Sequence, residues 1–372
     1  MTDLQDRIRG SLIGGAVGDA LGYAVEFIGE RSIFAQYGEG GIQEYELNRR
    51  SKKAVISDDT QMTLFTAQAM IFGAQRNRLT GENVDFRHYI AMGYLDWLIT
   101  QNIGYDIAKK NYKLDAPDYP DGIITTPLMN IPELYVPRAP GLTCLGALRT
   151  RGEQRRNKVK IDSFIEKKVN NSKGCGGVMR VAPVGLYKWA DIEAIDMESA
   201  EAAAVTHSNS LGYMPAAVLA HVVNRVLYNE SGMTLKEIVL DSAETLKKIF
   251  ADDANVDIMV GLIERAVELS ENSGSDLDNI HRLGEGWVGD EALAIALYCC
   301  LRYPDDFSKA IIVSVNHKGD SDSTGAIAGN ILGAVCGYEA MEQKWKDNLE
   351  LRDEILELAD NFYNEMSQTY GK

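Results

Sequence analysis

Apolar residues recur at three- and four-residue spacing through most of this chain, the period of a helix with one buried face. The pattern predicts helices over residues 5–22, 60–76, 86–101, 199–228, 235–250, 256–271, 289–302, 306–316, 323–337 and 340–369. Strand-like alternation is scarce. Short strands are expected only near 41–47 and 123–136, where Gly, Pro and β-branched residues cluster. The stretch 101–175 is the least regular, with most of the prolines and a basic run from Arg149 to Lys160. It reads as an insertion of surface loops over one face of the helical body. There is no fixed-period repeat and no low-complexity linker. The expectation is an all-α chain, one large orthogonal helical bundle over 1–372 with little or no β-structure.

Two of the predicted helices share a device. Gly10, Gly14, Gly18 and Gly22 fall every four residues, as do Gly325, Gly329, Gly333 and Gly337. Glycine costs about 1 kcal/mol per helical position relative to alanine, so eight of them need an offsetting gain. A stripe at this spacing lets another backbone approach closely, which predicts a tightly packed central helix pair.

Composition narrows the class. With 45% hydrophobic and 25% charged residues, the chain is ordinary globular material. Its 38 basic and 54 acidic residues leave a net charge of −16, which argues against nucleic acid or an anionic membrane as the main partner. The five cysteines (Cys144, Cys175, Cys299, Cys300 and Cys336) form no C-x-x-C pair, which fits reduced thiols in a cytoplasmic protein. The N-terminal apolar run is interrupted by Asp19 and reads as neither a secretory signal nor a membrane span.

Chemistry concentrates in four places. Ser57-Asp58-Asp59 and Asp320-Ser321-Asp322-Ser323 each open a predicted helix. Their oxygens suit hard divalent cations, while the plain alternative is helix capping. Gly174-Cys175-Gly176-Gly177 is a glycine-rich turn of the kind that receives phosphate; it is neither a Walker loop nor a Rossmann fingerprint. Thr206-His207-Ser208-Asn209-Ser210 opens another helix, where His207 either belongs to the cap or reaches a phosphate or ribose hydroxyl. His88, His221, His281 and His317 lack zinc-site spacing, and there is no G-x-S-x-G elbow.

Taken in order, six segments resemble the ADP-ribosylglycohydrolase family. They are G-S-L-I-G-G-A-V-G-D-A-L-G (10–22), S-D-D-T-Q-M-T (57–63), G-C-G-G-V-M-R-V-A-P (174–183), T-H-S-N-S-L-G-Y (206–213), G-W-V-G-D-E-A-L-A-I-A-L (286–297) and G-D-S-D-S-T-G-A-I-A-G (319–329). The resemblance implies an all-α fold with two divalent cations, Mg²⁺ or Mn²⁺, in a cleft. It implies metal ligation by Ser57, Asp58, Asp59, Asp320, Asp322 and Ser323, with Ser at two positions where most members have Thr. It points to Gly174, Gly176, Gly177 and Met179 for the diphosphate and adenosine, and to His207 for the ADP-ribose. Glu26 matches a flap glutamate of some members. No carboxylate occupies 138–143, where other members carry a base, which leaves the general base open; Glu26 and Asp59 are the catalytic candidates. Trp287 walls the cleft or packs in the core.

The expected activity is hydrolysis of the N-glycosidic bond of ADP-ribosylated protein side chains, arginine first, releasing ADP-ribose. The alternatives are another ADP-ribose conjugate, on serine or a small molecule, and an immunity protein that occludes a cognate ADP-ribosylating toxin.

Overall fold

The computed structural model describes residues 3–81, 85–112, 127–189, 191–229 and 231–370. Among these there are seventeen α-helices and no sheet; two isolated bridges pair Ala54 with Leu349 and Gly174 with Val288. The chain is therefore all-α. Nine helices surround the site and its neighbours: α1 (Leu4–Tyr23), α2 (Asp58–Thr80), α3 (Phe86–Asn102), α4 (Leu142–Arg156), α5 (Ile192–Ala204), α6 (Ser210–Leu227), α7 (Gly289–Arg302), α8 (Ser321–Cys336) and α9 (Arg352–Tyr370).

Four expectations are corrected. Residues 41–47 form no ladder, and 127–130 and 132–135 are two 3₁₀ turns; the rest of the expected second strand, 123–126, lies outside the described residues. The pattern at 199–228 belongs to two helices, broken where Asn209 accepts a hydrogen bond from the Leu211 N–H and starts α6. The pattern at 340–369 also divides, because Asn348 and Leu351 take left-handed backbone conformations ahead of α9. The stretch 101–175 is less irregular than expected, since α4 runs through it.

The core is organised by α1 and α8, which run antiparallel and are buried along nearly their whole apposed length. A Cβ built on Gly18 would collide with the Gly325 carbonyl, one on Gly14 with Gly329, and one on Gly10 with Gly333. The reverse substitutions collide with the same partners. Between these contacts Ser11 Oγ donates to the Asn330 carbonyl (2.9 Å) and Asn330 Nδ2 donates to the Ser11 carbonyl (2.9 Å). Gly337 ends the stripe as the C-cap of α8, with φ of 79°, and its Cα would lie 2.8 Å from a Cβ on Gly10. The pairing sets the end of α1 beside the start of α8, because a Cβ at Gly22 would meet Ser321 and Asp322.

Candidate functional site

The site is assembled around a residue that the motifs did not single out. Asp19, fully buried on α1, accepts the Ser57 N–H on both carboxylate oxygens (3.0 Å each). It also accepts the Thr60 N–H (3.0 Å) and the Thr60 hydroxyl. These are donors at the first turn of α2 that have no partner within the helix. Ser57 caps the Asp59 N–H at 3.1 Å. Capping of α2 is thus carried by Asp19 and Ser57, and the carboxylates of Asp58 and Asp59 are turned to other partners. Asp58 Oδ2 accepts from the Gly141 N–H (3.2 Å), and Asp59 Oδ2 accepts from Ser323 Oγ on α8 (2.8 Å). The capping alternative describes Asp320 better, since it takes the Ser323 N–H at 3.2 Å; Asp322 takes the same N–H at 2.9 Å.

A cleft of about 410 Å³ brings the two acidic segments together. Glu26, Asp58, Asp59, Asp320, Asp322 and Ser323 line it, as do Gly174, Gly176, Met179 and His207. Ser57 and Gly177 stand behind the wall. Ser57 is fully buried, and a Cβ on Gly177 would press on the Gly212 carbonyl at 2.5 Å, so the latter is required by packing. Phe27 and Trp287 line the cleft while remaining 69% and 42% exposed, which answers the open question about Trp287 in favour of the cleft wall.

Electrostatically the cleft is costly. Burial pushes the Asp58 carboxyl up to about 8, reinforced by the charges of Asp19 and Asp320 and opposed by the Gly141 N–H. Glu26 is raised to about 8 by burial and by Asp320, Asp58 and Asp19; it shares a hydrogen bond with Asp322, and its Oε2 has no partner. Asp59 and Asp322 are pushed well up, first by burial and then by neighbouring carboxylates. Cys175 donates its thiol to Asp320 Oδ2 (2.7 Å), and burial with the nearby acids holds it protonated.

His207 is held differently. Burial, and then the positive charge of Arg180, lower its pKa to about 3, so the ring is neutral. Arg180, itself fully buried with its guanidinium 4.2 Å from the Tyr94 ring centre, donates to Thr206 Oγ1 (2.6 Å). That oxygen lies 2.9 Å from His207 Nδ1. The Thr206 hydroxyl thus links Arg180 to the histidine ring, and it also reaches the Ala203 carbonyl (3.5 Å). A Cβ on Gly176 would meet the His207 ring at 3.0 Å and Cys144 Sγ at 2.9 Å, so the glycine loop is shaped to lie against this histidine.

The donor set suits hard cations. Five carboxyl groups face one cleft, no Lys or Arg lines it among the described residues, and Glu26 Oε2 is buried without a partner. Among the described residues, no three His, Cys, Asp or Glu side chains converge closely enough to enclose an ion by themselves. The fit is therefore one of donor type and charge.

The whole chain, residues 1–372, matches the family model described as ADP-ribosylglycohydrolase. It is 28% identical over 214 residues to the ADP-ribosylhydrolase ARH3 of Bos taurus, an alignment covering 52% of this chain and 58% of that one. It is 24% identical over 206 residues to the ADP-ribosylarginine hydrolase Tri1 of Pseudomonas putida, covering 54% and 50%. The chain thus spans little more than half the length of either relative. A solved structure titled "ADP-ribosylglycohydrolase-related protein complex" superposes with a TM-score of 0.65 over 98% of this chain and 100% of that one, at 22% identity, and supports the fold. With the family model matched over its full length, the chain belongs to the ADP-ribosylglycohydrolase family.

Proposed function

We propose that this chain is a metal-dependent hydrolase that cleaves the N-glycosidic bond joining ADP-ribose to a protein side chain, with ADP-ribosyl-arginine the preferred substrate. One observation carries the reading: acidic segments from α2 and α8 line a single cleft together with the glycine loop and His207. The arginine preference rests on the wider likeness to proteins such as Tri1, whose name specifies that linkage.

Asp58, Asp59, Asp320, Asp322 and Ser323 would hold two divalent cations, Mg²⁺ or Mn²⁺, while Ser57, expected as a ligand, sits behind them and caps α2. Such ions neutralise the buried acids, orient sugar hydroxyls and make water more acidic. The chain's own groups supply the rest. Gly174, Gly176 and Met179 form the wall for the diphosphate and adenosine, and a small residue is required at 176 by the nearby imidazole. His207, neutral and lining the cleft, offers a ring nitrogen for hydrogen bonding to the ligand without adding charge. Phe27 and Trp287 shield the cleft mouth from water. Glu26 is the proton-transfer group of choice: it reaches the cleft and has one free carboxyl oxygen. Asp59 is tied to Ser323 and serves better as a ligand.

The test is release of free ADP-ribose from arginine- and serine-ADP-ribosylated proteins, in Mg²⁺, Mn²⁺ or EDTA, by the wild type and by Asp58→Ala/Asp322→Ala. Cation-dependent release from the arginine conjugate, lost in the double variant, is expected. Release that survives both EDTA and the double substitution would defeat the proposal; release from serine alone would reassign the acceptor.

A further inference from the structure

A second cleft of about 410 Å³ lies between α3, α4 and the segment that follows α4, and it shares no lining residue with the acidic one. Its chemistry is opposite in sign. Leu95, Val159, Ile161 and Phe164 give it an apolar interior, and Arg151, Arg155, Lys158 and Lys160 line it as well. Four cations around one small cavity stand out in a chain of net charge −16.

The cations are not equivalent. Arg151 is 3% exposed, and it donates from Nε to the Val205 carbonyl (3.0 Å) and from Nη2 to the Ala204 carbonyl (3.3 Å) at the end of α5. Its guanidinium lies 4.8 Å from the Phe164 ring centre, so it builds the floor. Lys160 pairs with Asp162 at 2.8 Å, both well exposed. Arg155 and Lys158 pair with no carboxylate among the described residues. Asp96, 2% exposed, feels the charge of Arg155, but burial outweighs it and pushes the Asp96 carboxyl well up.

Lys158 has a further peculiarity. It is the left-handed residue, φ of 54°, that closes α4, with its N–H on the Arg155 carbonyl (2.9 Å) and the Val159 N–H on the Gln154 carbonyl (2.9 Å). Glycine is the usual occupant of that position because a side chain strains it. The strain places a flexible cation at the lip of an apolar cavity.

We propose that this cleft binds a small aromatic anion, a flat ring carrying a phosphate, sulfonate or carboxylate. The ring enters among Leu95, Val159 and Phe164, and the anionic group meets Arg155 and Lys158. The cavity has the volume typical of a small-molecule site, which favours such a ligand over an acidic protein segment.

Binding is measured with 1-anilinonaphthalene-8-sulfonate by fluorescence, with phenyl phosphate as competitor. Phenyl phosphate is expected to displace the probe, while benzyl alcohol and inorganic phosphate, each carrying half of the recognition, compete at least about tenfold less well. Arg155→Glu/Lys158→Glu should weaken probe binding about tenfold, each exposed contact being worth a few-fold. ADP-ribose should leave the probe in place. Lys158→Gly should weaken binding while raising the urea midpoint, two opposed effects that a purely structural lysine would not produce. Probe affinity unchanged by the double charge reversal would overturn the proposal, as would displacement by ADP-ribose or no saturable binding. Displacement by an acidic peptide but not by phenyl phosphate would overturn it in favour of a protein partner.

Discussion

Replacing Gly18 by alanine isolates what holds the centre of the molecule. By helix propensity alone the change stabilises α1 by about 1 kcal/mol. The structure predicts the reverse. The new methyl would fall on the Gly325 carbonyl carbon and oxygen and within 2.9 Å of the Ala326 nitrogen, all backbone atoms with no rotamer to escape into. Relief requires α1 and α8 to separate, which weakens the neighbouring Gly14–Gly329 contact and the reciprocal Ser11–Asn330 hydrogen bonds. Overpacking of this kind costs about 1–3 kcal/mol, and the lost interhelical contacts place this case at the upper end. We expect a net destabilisation of about 3 kcal/mol. Gly261, in helix Val256–Glu271, supplies the control: nothing lies within 4 Å of its added Cβ, so Gly261→Ala should stabilise by up to about 1 kcal/mol. Urea denaturation of both variants reads the comparison directly. If Gly18→Ala proves neutral or stabilising, as Gly261→Ala is expected to be, the close-approach reasoning is wrong.

Other outcomes follow from the acidic cleft. In EDTA, stability should fall between pH 6.5 and 8: Asp58 and Glu26 titrate near 8 when folded and near 4 when unfolded, so the folded state holds more protons and loses stability as pH rises, by up to about 1.4 kcal/mol per pH unit for each group. His207, with its folded pKa depressed to about 3, contributes the opposite slope only at lower pH, where stability is lost as pH falls below about 6.5. Denaturation midpoints that rise between pH 6.5 and 8 would contradict this assignment. Added Mg²⁺ or Mn²⁺ should stabilise the wild type by about 2.7 kcal/mol at a hundred times its Kd, and Asp322→Ala should lose that gain in thermal melts. Glu26→Gln should lower kcat about 10²–10⁴-fold while ADP-ribose affinity, measured by calorimetry, changes little. Thr206→Val breaks the hydrogen-bond chain from Arg180 to His207, so KM should rise more than kcat falls; an unchanged KM would remove His207 from ligand binding.

Much of this molecule could be read from its residues because the signals were local. The glycine stripes at four-residue spacing announced a close helix pair, and both acidic segments sit at helix starts as their Ser and Asp content implies. The misses were of another kind. Asp19 looked like an interruption in an apolar helix, yet it supplies the capping interactions of α2; only the packed structure shows that its neighbours across the fold are Ser57 and Thr60. Cys175 lay inside the quoted glycine loop but gave no sign of its contact with Asp320. The apolar rhythm of 199–228 runs across a helix boundary that the Thr206–Ser210 segment itself announced as a helix start; the rhythm continues through it because Thr206, His207 and Ser208 are buried like their flanks.

The α1–α8 pairing also bears on how the chain is made. Ser11 and Asn330, which lock the pair, are separated by 319 residues. At synthesis rates of about 5–20 residues per second, α1 waits roughly 16–64 s for its partner to be translated. During that interval a helix meant to be buried along most of its length has no surface to bury against, and a nascent chain arrested before residue 321 contains only one of the two acidic segments. The site is therefore completed late, and a chain terminated before residue 320 should lack half of the acidic set and leave α1 without its partner helix, exposed and prone to aggregation.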